Sequence, residues 1–250
     1  ELKVDVAYPF LLALYHDYKN GVLSQEDFLN IIRLIESYVF RRAVCAIQTN
    51  SLNKTFATFY KVINKEKYLE SIQVHFMNLP SYRRFPNDDE FKRELKVRDL
   101  YNFRSRSYWL RRLENDKRRE RVEEFTIEHI MPQNENLSAK WREELGSDWQ
   151  RIHKELLHTL GNLTLTRYNS RYSDRPFAEK RDIEDGFKHS PLYLNIGLGQ
   201  CEKWDEAAIR ARADRLADLE VQVWQAPALP EEVLAVYRAQ PENKTSYALA

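Results

Sequence analysis

A glutamate and a histidine stand side by side in the run IEHIMP, as Glu128 and His129. Hydrolysis of a phosphodiester near neutral pH requires a base that activates water and a cation that offsets charge on the phosphate. The protein must hold both in fixed positions. The later run GNLTLTRYN supplies two asparagines, Asn162 and Asn169. We predict that His129 is the base and that Glu128 and Asn169 hold one cation. Asn162 is predicted to support the catalytic residues by bracing a turn.

The elements that must position these residues form a strand, a loop, a second strand and a helix. Residues 122–130 alternate in a way that is typical of a strand, which would end at His129. Two short helical patterns follow, and then Gly161 opens a turn before a second β-prone run. Asn169 is predicted to open the helix after that run. Such a unit would place a base, a carboxylate and an amide at one end of a hairpin.

Each of these residues also has an ordinary structural interpretation. A histidine at a strand end is more often structural than catalytic, and an isolated Asn162 would be a turn residue. Asn169 alone would be a helix N-cap. Lys180 is either a solvated helix residue or a phosphate contact. The catalytic interpretation therefore depends on the two runs occurring together.

Other metal sites are not indicated. His153 and His158 are five positions apart, which differs from the i, i+4 spacing of a helical zinc pair, and we predict that neither is a ligand. Cys45 and Cys201 are too few and too far apart for a zinc knuckle or a disulfide framework. This cysteine usage fits a reducing cytosol, and a cytoplasmic location is expected.

Composition favours a helical protein with a sizeable core. The chain has 250 residues, of which 43% are hydrophobic and 31% charged, and only six are glycine, whereas a β-rich chain needs many turn glycines. The formal net charge of +1 excludes a global electrostatic attraction to nucleic acid. No apolar run has transmembrane length. We predict a helical spacer bundle at residues 1–80, a catalytic domain at 81–225 and a C-terminal tail at 226–250.

Two groups of basic residues are candidates for phosphate contact. Residues 104–121 carry eight Arg or Lys against three acids, which indicates either a solvated helix face or a surface that binds flanking duplex. The residues singled out in this group are Arg111, Arg112, Arg118 and Arg119. The second group lies on or beside the helix after the second strand, and a regular helix would align its first members on one face. Its members are Arg167, Arg171, Arg175, Lys180 and Arg181.

The order of the motifs resembles a known family. Four short motifs resemble those of the C-terminal HNH nuclease domain of GmrSD-like modification-dependent restriction enzymes. This group includes SspE-type anti-phage proteins. The motifs are Glu128–Pro132, Gly161–Leu165, Asn169 and Pro176–Lys180. The resemblance covers residues 80–225. It implies a mainly α protein, with a helical bundle and a small ββα-metal (HNH) core.

The resemblance also implies an activity and partners. The expected function is Mg²⁺-dependent or Mn²⁺-dependent cleavage or nicking of double-stranded DNA in phage restriction. A nucleotide-binding, modification-sensing domain is expected N-terminal to this region in the same protein. The alternative is a catalytically inactive DNA-binding or regulatory module that uses the Arg-rich 104–121 surface, and RNA remains open as a substrate.

Overall fold

The computed structural model describes residues 4–103 and 106–239. Within them the protein is mainly α-helical, as predicted, with one antiparallel sheet of two strands. The N-terminal helices are α1 (Tyr8–Lys19), α2 (Gln25–Val44), α3 (Leu52–Phe59), α4 (Tyr68–Met77), α5 (Asp88–Leu95) and α6 (Arg106–Asn115). The elements that follow are β1 (Thr126–His129), α7 (Ala139–Leu145), α8 (Trp149–Leu156), β2 (Leu163–Thr166), α9 (Asn169–Tyr172), α10 (Phe177–Asp182), α11 (Glu206–Val223) and α12 (Glu231–Ala239).

The chain forms two compact units. Among the described residues, one unit contains residues 92–223, and the other combines residues 4–91 with residues 224–239. The predicted boundaries lie at residues 80 and 225. Residues 224–239, most of which belong to the predicted tail, are grouped with the N-terminal helices. Within the predicted tail, residues 231–239 form the short helix α12.

The first unit in chain order is a helical bundle with an aromatic core. Its longest helix, α2, is capped by Ser24, whose hydroxyl accepts a hydrogen bond from the Asp27 amide at 3.0 Å. Acidic residues in the first turn and Arg41 and Arg42 in the last turn suit the helix dipole. Phe10, Phe56, Phe59, Tyr38 and Phe76 are among the buried residues of this core. No helix of the described residues is long and apolar enough to cross a membrane.

The second unit is built around the hairpin of β1 and β2. Thr126 pairs with Thr166 and His129 pairs with Leu163. The first strand is shorter than the predicted 122–130, because the backbone of Val122 binds the side chain of Asn115. The side-chain amide of Asn115 donates to the Val122 carbonyl at 3.1 Å and accepts from the Val122 amide at 2.7 Å. These backbone groups are therefore not part of a strand ladder.

Helices α7 and α8, the two predicted between the strands, supply much of the apolar surface that holds the hairpin in place. Ser138 caps α7, as its hydroxyl accepts from the Trp141 amide at 3.3 Å, and Gly146 ends the helix with a φ of 81°. The hydrophobic core extends from the end of β1 to α11. Its buried members are Ile130, Met131, Leu137, Trp141, Leu145, Ile152, Leu156, Tyr172, Phe177, Phe187, Leu198, Trp204 and Ile209.

Candidate active site

The end of the hairpin is braced by the side chain of Asn162, which is completely buried. Its Oδ1 atom accepts hydrogen bonds from the Met131 amide at 2.7 Å and from Nε1 of Trp204 at 3.1 Å. Its Nδ2 atom donates to the carbonyls of Met131 and Leu157, both at 3.0 Å. All the hydrogen-bonding capacity of this amide is thus used inside the protein, which fits the predicted supporting role.

Gly161 and Arg212 bring helix α11 against the same turn. A Cβ atom on residue 161 would lie 2.2 Å from the carbonyl oxygen of Ile209, so only glycine permits this approach. The buried guanidinium of Arg212 donates from Nη1 to the carbonyls of residues 160, 161 and 163 and from Nη2 to that of residue 194. Burial lowers the pKa of Arg212 to about 9. The turn that precedes β2 is therefore held by Arg212, which lies about fifty positions later in the chain.

Glu128 forms a buried ion pair with Lys180. Nζ of Lys180 lies 2.7 Å from Oε1 of Glu128 and donates to the His129 carbonyl at 2.9 Å. The Lys180 side chain is completely buried. Burial raises the pKa of the Glu128 carboxyl to about 7, and the Lys180 ammonium acts against that shift. A solvated position and a phosphate contact were the two alternatives for Lys180, but its ammonium is buried and contacts Glu128 instead.

Asn169 lies against the first strand at the start of α9. Its Nδ2 atom donates to Oγ1 of Thr126 at 2.7 Å and to the Ile127 carbonyl at 3.2 Å. Because residues two apart on a strand share a face, Thr126 and Glu128 point to the same side of β1. Oδ1 of Asn169 is buried and has no hydrogen-bond partner within the described residues. The amide oxygen is thus free to accept a ligand.

The oxygen atoms on the face of β1 that carries Thr126 and Glu128 are suitable ligands for a hard divalent cation. Mg²⁺ in enzymes is often held by one or two carboxylates and by substrate phosphates, with waters completing its octahedron. The Glu128 carboxylate and the unpartnered Oδ1 of Asn169 are oxygen ligands of that kind. No group of three or more His, Cys, Asp or Glu side chains in the described ranges is arranged to hold a metal.

His129 lies on the opposite face of β1 from Glu128, since adjacent strand residues alternate. It is buried, and its Nε2 atom is 3.0 Å from Nδ1 of His158. The ring of Tyr101 stacks on His158 with the centroids 5.1 Å apart and contacts His129 edge-on at 4.5 Å. Burial lowers the pKa of His129 to about 3, and His158 and Lys180 act in the same direction. The imidazole is therefore neutral at pH 7, as a general base must be.

The basic residues of the second group do not form one helix face. Helix α9 has only four residues and ends at Ser173, whose φ is 42°. Three of the arginines are exposed. Arg167 lies over the Phe125 ring, Arg171 pairs with Asp185 at 3.0 Å, and Arg175 lies 3.6 Å from Glu179. The half-buried Arg181 contacts Asp182 and donates to the Cys201 carbonyl at 2.8 Å.

The residues of the first group are more engaged inside the protein than predicted. Arg118 donates from Nε to the buried carboxylate of Glu114 at 2.6 Å, and Arg112 pairs with Asp116 at 3.0 Å. Arg111 is half-buried, whereas Arg119 is exposed. Arg104, which belongs to the predicted cluster, lies outside the described residues. A dense basic run in the sequence is thus partly a set of internal ion pairs.

No role for Tyr101 or Arg212 follows from the sequence, and His158 was considered only as a zinc ligand and rejected. In the structure Tyr101 and His158 contact His129, and Arg212 holds the turn before β2. The position of His158 four residues before Asn162 is an available signal, because the Asn162 side chain binds Met131, two residues after His129. Arg212 gives no comparable signal, since its partners are backbone carbonyls.

A comparison with protein families matches residues 85–219 to the C-terminal domain of GmrSD restriction endonucleases. No curated protein and no solved structure gives a significant match. The matched segment contains the hairpin, both candidate ligands, His129 and its neighbours. The family assigned from the motifs is therefore confirmed. Because the match spans more than half of the chain, the protein belongs to the family of GmrSD restriction endonucleases and contains their C-terminal, nuclease-type domain.

Proposed function

We propose that this domain is an HNH-type DNA endonuclease or nickase that uses Mg²⁺ or Mn²⁺. The observation that carries the proposal is the neutral, buried His129 at the end of β1, with the Glu128 carboxylate and the unpartnered Asn169 oxygen on the other face of the strand. The family match supports DNA as the substrate. A hairpin followed by α9 is consistent with a ββα-metal core.

In the proposed reaction, His129 removes a proton from water, and the oxygen attacks phosphorus in line with the leaving 3′ oxygen. The products are a 5′-phosphate and a 3′-hydroxyl. A divalent cation bound by Glu128 and Asn169 would offset charge on the phosphate and the leaving oxygen. The mechanism requires the scissile phosphate to reach both His129 and a cation held by Glu128 and Asn169, all of which lie on or against β1. Lys180 would keep the Glu128 carboxylate and the His129 carbonyl in fixed positions during the reaction.

The exposed arginines would bind the DNA backbone near the cut. Their present partners, Asp185 and Glu179, form exposed ion pairs that contribute little stability, so phosphate can replace them at low cost. A planar guanidinium can bind two phosphate oxygens at once. These contacts would position DNA without reading its sequence. The restriction of phage, and the sensing of modified DNA by a further domain of the same protein, form part of this proposal.

The test is plasmid cleavage by the wild type and by His129→Ala, each with Mg²⁺, with Mn²⁺ and with EDTA. We expect metal-dependent nicking or cutting by the wild type and none by the variant, with DNA binding retained. A matched control is His189→Ala, at an exposed histidine of the same unit. If His129→Ala cleaves at the wild-type rate, the assignment is wrong. A gel shift without cleavage by the wild type under all metals would select the inactive binding module.

A further inference from the structure

A second imidazole is fixed against His129. Nδ1 of His158 lies 3.0 Å from Nε2 of His129. The backbone of His158 is itself held, because its carbonyl accepts a hydrogen bond from the Leu100 amide at 2.9 Å. Tyr101, the next residue after Leu100, stacks on the His158 ring with an angle of 11° between the planes. Both the backbone and the ring of His158 are thus held in place beside His129.

This contact determines which nitrogen of His129 can accept a proton. A neutral imidazole has one N–H and one lone pair, so one ring must donate and the other must accept. If Nε2–H of His129 donates to Nδ1 of His158, the lone pair of His129 lies on Nδ1. Within the described residues Nδ1 of His129 has no hydrogen-bond partner. In the opposite arrangement Nδ1 carries the proton, and His129 cannot act as a base there.

We propose that His158 is a positioning residue, which accepts the Nε2–H of His129 and keeps the lone pair of His129 on Nδ1. This inference rests on the proposed function, in which His129 is the base. During the reaction one O–H bond of water breaks, its proton passes to Nδ1 of His129, and the oxygen forms the new bond to phosphorus. The bond from phosphorus to the 3′ oxygen breaks, and that oxygen takes a proton from solvent. The resulting imidazolium keeps its Nε2–H bonded to His158, which stabilises it.

The test compares His158→Leu with His158→Asn in the full chain. Leucine fills similar space but offers no acceptor, whereas the amide oxygen of asparagine can accept near the position of Nδ1. We expect kcat for plasmid nicking to fall roughly 10–100-fold in His158→Leu with KM for DNA unchanged, and His158→Asn to recover most of that loss. A merely structural role would not distinguish the two variants in kcat alone. His189→Leu is the matched control, and circular dichroism monitors folding of each variant.

A second readout does not require activity. Long-range nitrogen–proton NMR correlations of the His129 ring, recorded without DNA or metal, report which nitrogen carries the proton. We expect Nε2–H in the wild type and in His158→Asn, and a mixture in His158→Leu. An Nδ1–H ring in the wild type, or unchanged kcat in His158→Leu, would overturn the inference. Cleavage by His129→Ala at the wild-type rate would instead overturn the proposed function, so the two failures are distinguishable.

Discussion

The ammonium of Lys180 lies 2.7 Å from Oε1 of Glu128, and both side chains are buried. The same ammonium bonds the His129 carbonyl, so one residue of α10 fixes two adjacent residues of β1. A buried ion pair of this kind adds little net stability, because desolvation offsets the attraction. Loss of one partner is costly, since the other is left as an uncompensated buried group. The pair therefore determines the geometry of the strand end more than the stability of the unit.

Replacement of Lys180 by methionine should destabilise the protein strongly. Glu128 would lose the cation that its carboxylate contacts, and its pKa would rise further. We expect the free energy of unfolding to fall by about 3–5 kcal/mol in Lys180→Met, measured by urea denaturation. The double variant Lys180→Met with Glu128→Gln should recover a large part of that loss. A single variant as stable as the wild type would contradict the assignment of this pair.

The two asparagines should separate into a structural and a catalytic residue. Asn162→Ala removes an amide with four internal hydrogen bonds and should lower the free energy of unfolding by about 2–4 kcal/mol. Asn169→Ala removes an amide whose oxygen has no partner in the described residues, so we expect a smaller loss of stability and a large loss of metal-dependent cleavage. Urea denaturation and plasmid nicking measure the two effects. Equal destabilisation by both substitutions would contradict this separation.

Burial of His129 predicts a dependence of stability on pH. Its pKa is about 3 in the folded protein, against an ordinary value of 6.5 in the unfolded chain, so the unfolded chain binds the proton first as pH falls. The contribution of His129 is complete above pH 6.5 and is lost progressively toward pH 3, at a rate of at most about 1.4 kcal/mol per pH unit. His129→Gln should flatten this part of the curve.

The free energies of unfolding of the wild type and His129→Gln must be compared at each pH, because titration of Glu128 changes the stability in the opposite direction. Its pKa is raised from 4.5 to about 7, so its contribution is present below pH 4.5 and is lost as pH rises toward 7. The measurement is the free energy of unfolding from pH 4 to 8 for the wild type and His129→Gln. Parallel curves over that range would show that His129 does not titrate differently in the folded state.

Removal of charge at Arg171 and Arg175 should weaken DNA binding. Both side chains are exposed, and a phosphate contact at each adds a salt-sensitive contribution to affinity. We expect the double glutamine variant to bind duplex DNA more weakly and to show a slope of log affinity against log salt that is shallower by about 1–2. The matched control removes the same charge from the helical unit, as Lys19→Gln with Arg33→Gln. Unchanged affinity and slope in the first variant would place the DNA elsewhere.

The sequence predicted the hairpin residues and most helices, because capping signals and apolar spacing are local. Ser24 begins α2, and the two patterns between the strands form α7 and α8. Contacts between distant residues were not predictable in this way. Lys180 was expected to be a solvated helix residue or a phosphate contact, since its partner Glu128 precedes it by 52 positions. The extent of β1 likewise depended on the side chain of Asn115. Only the assembled structure shows which polar groups meet.

The guanidinium of Arg212 has a consequence for synthesis of the chain. The carbonyls of residues 160, 161 and 163 receive their hydrogen bonds from a residue that the ribosome adds about fifty positions later. Until Arg212 has emerged, those buried acceptors lack their donor and the turn between the two strands is incomplete. A nascent chain that already contains His129, Asn162 and Asn169 would therefore still lack the finished turn that precedes β2. The order of translation would itself delay completion of the candidate active site until helix α11 has been made.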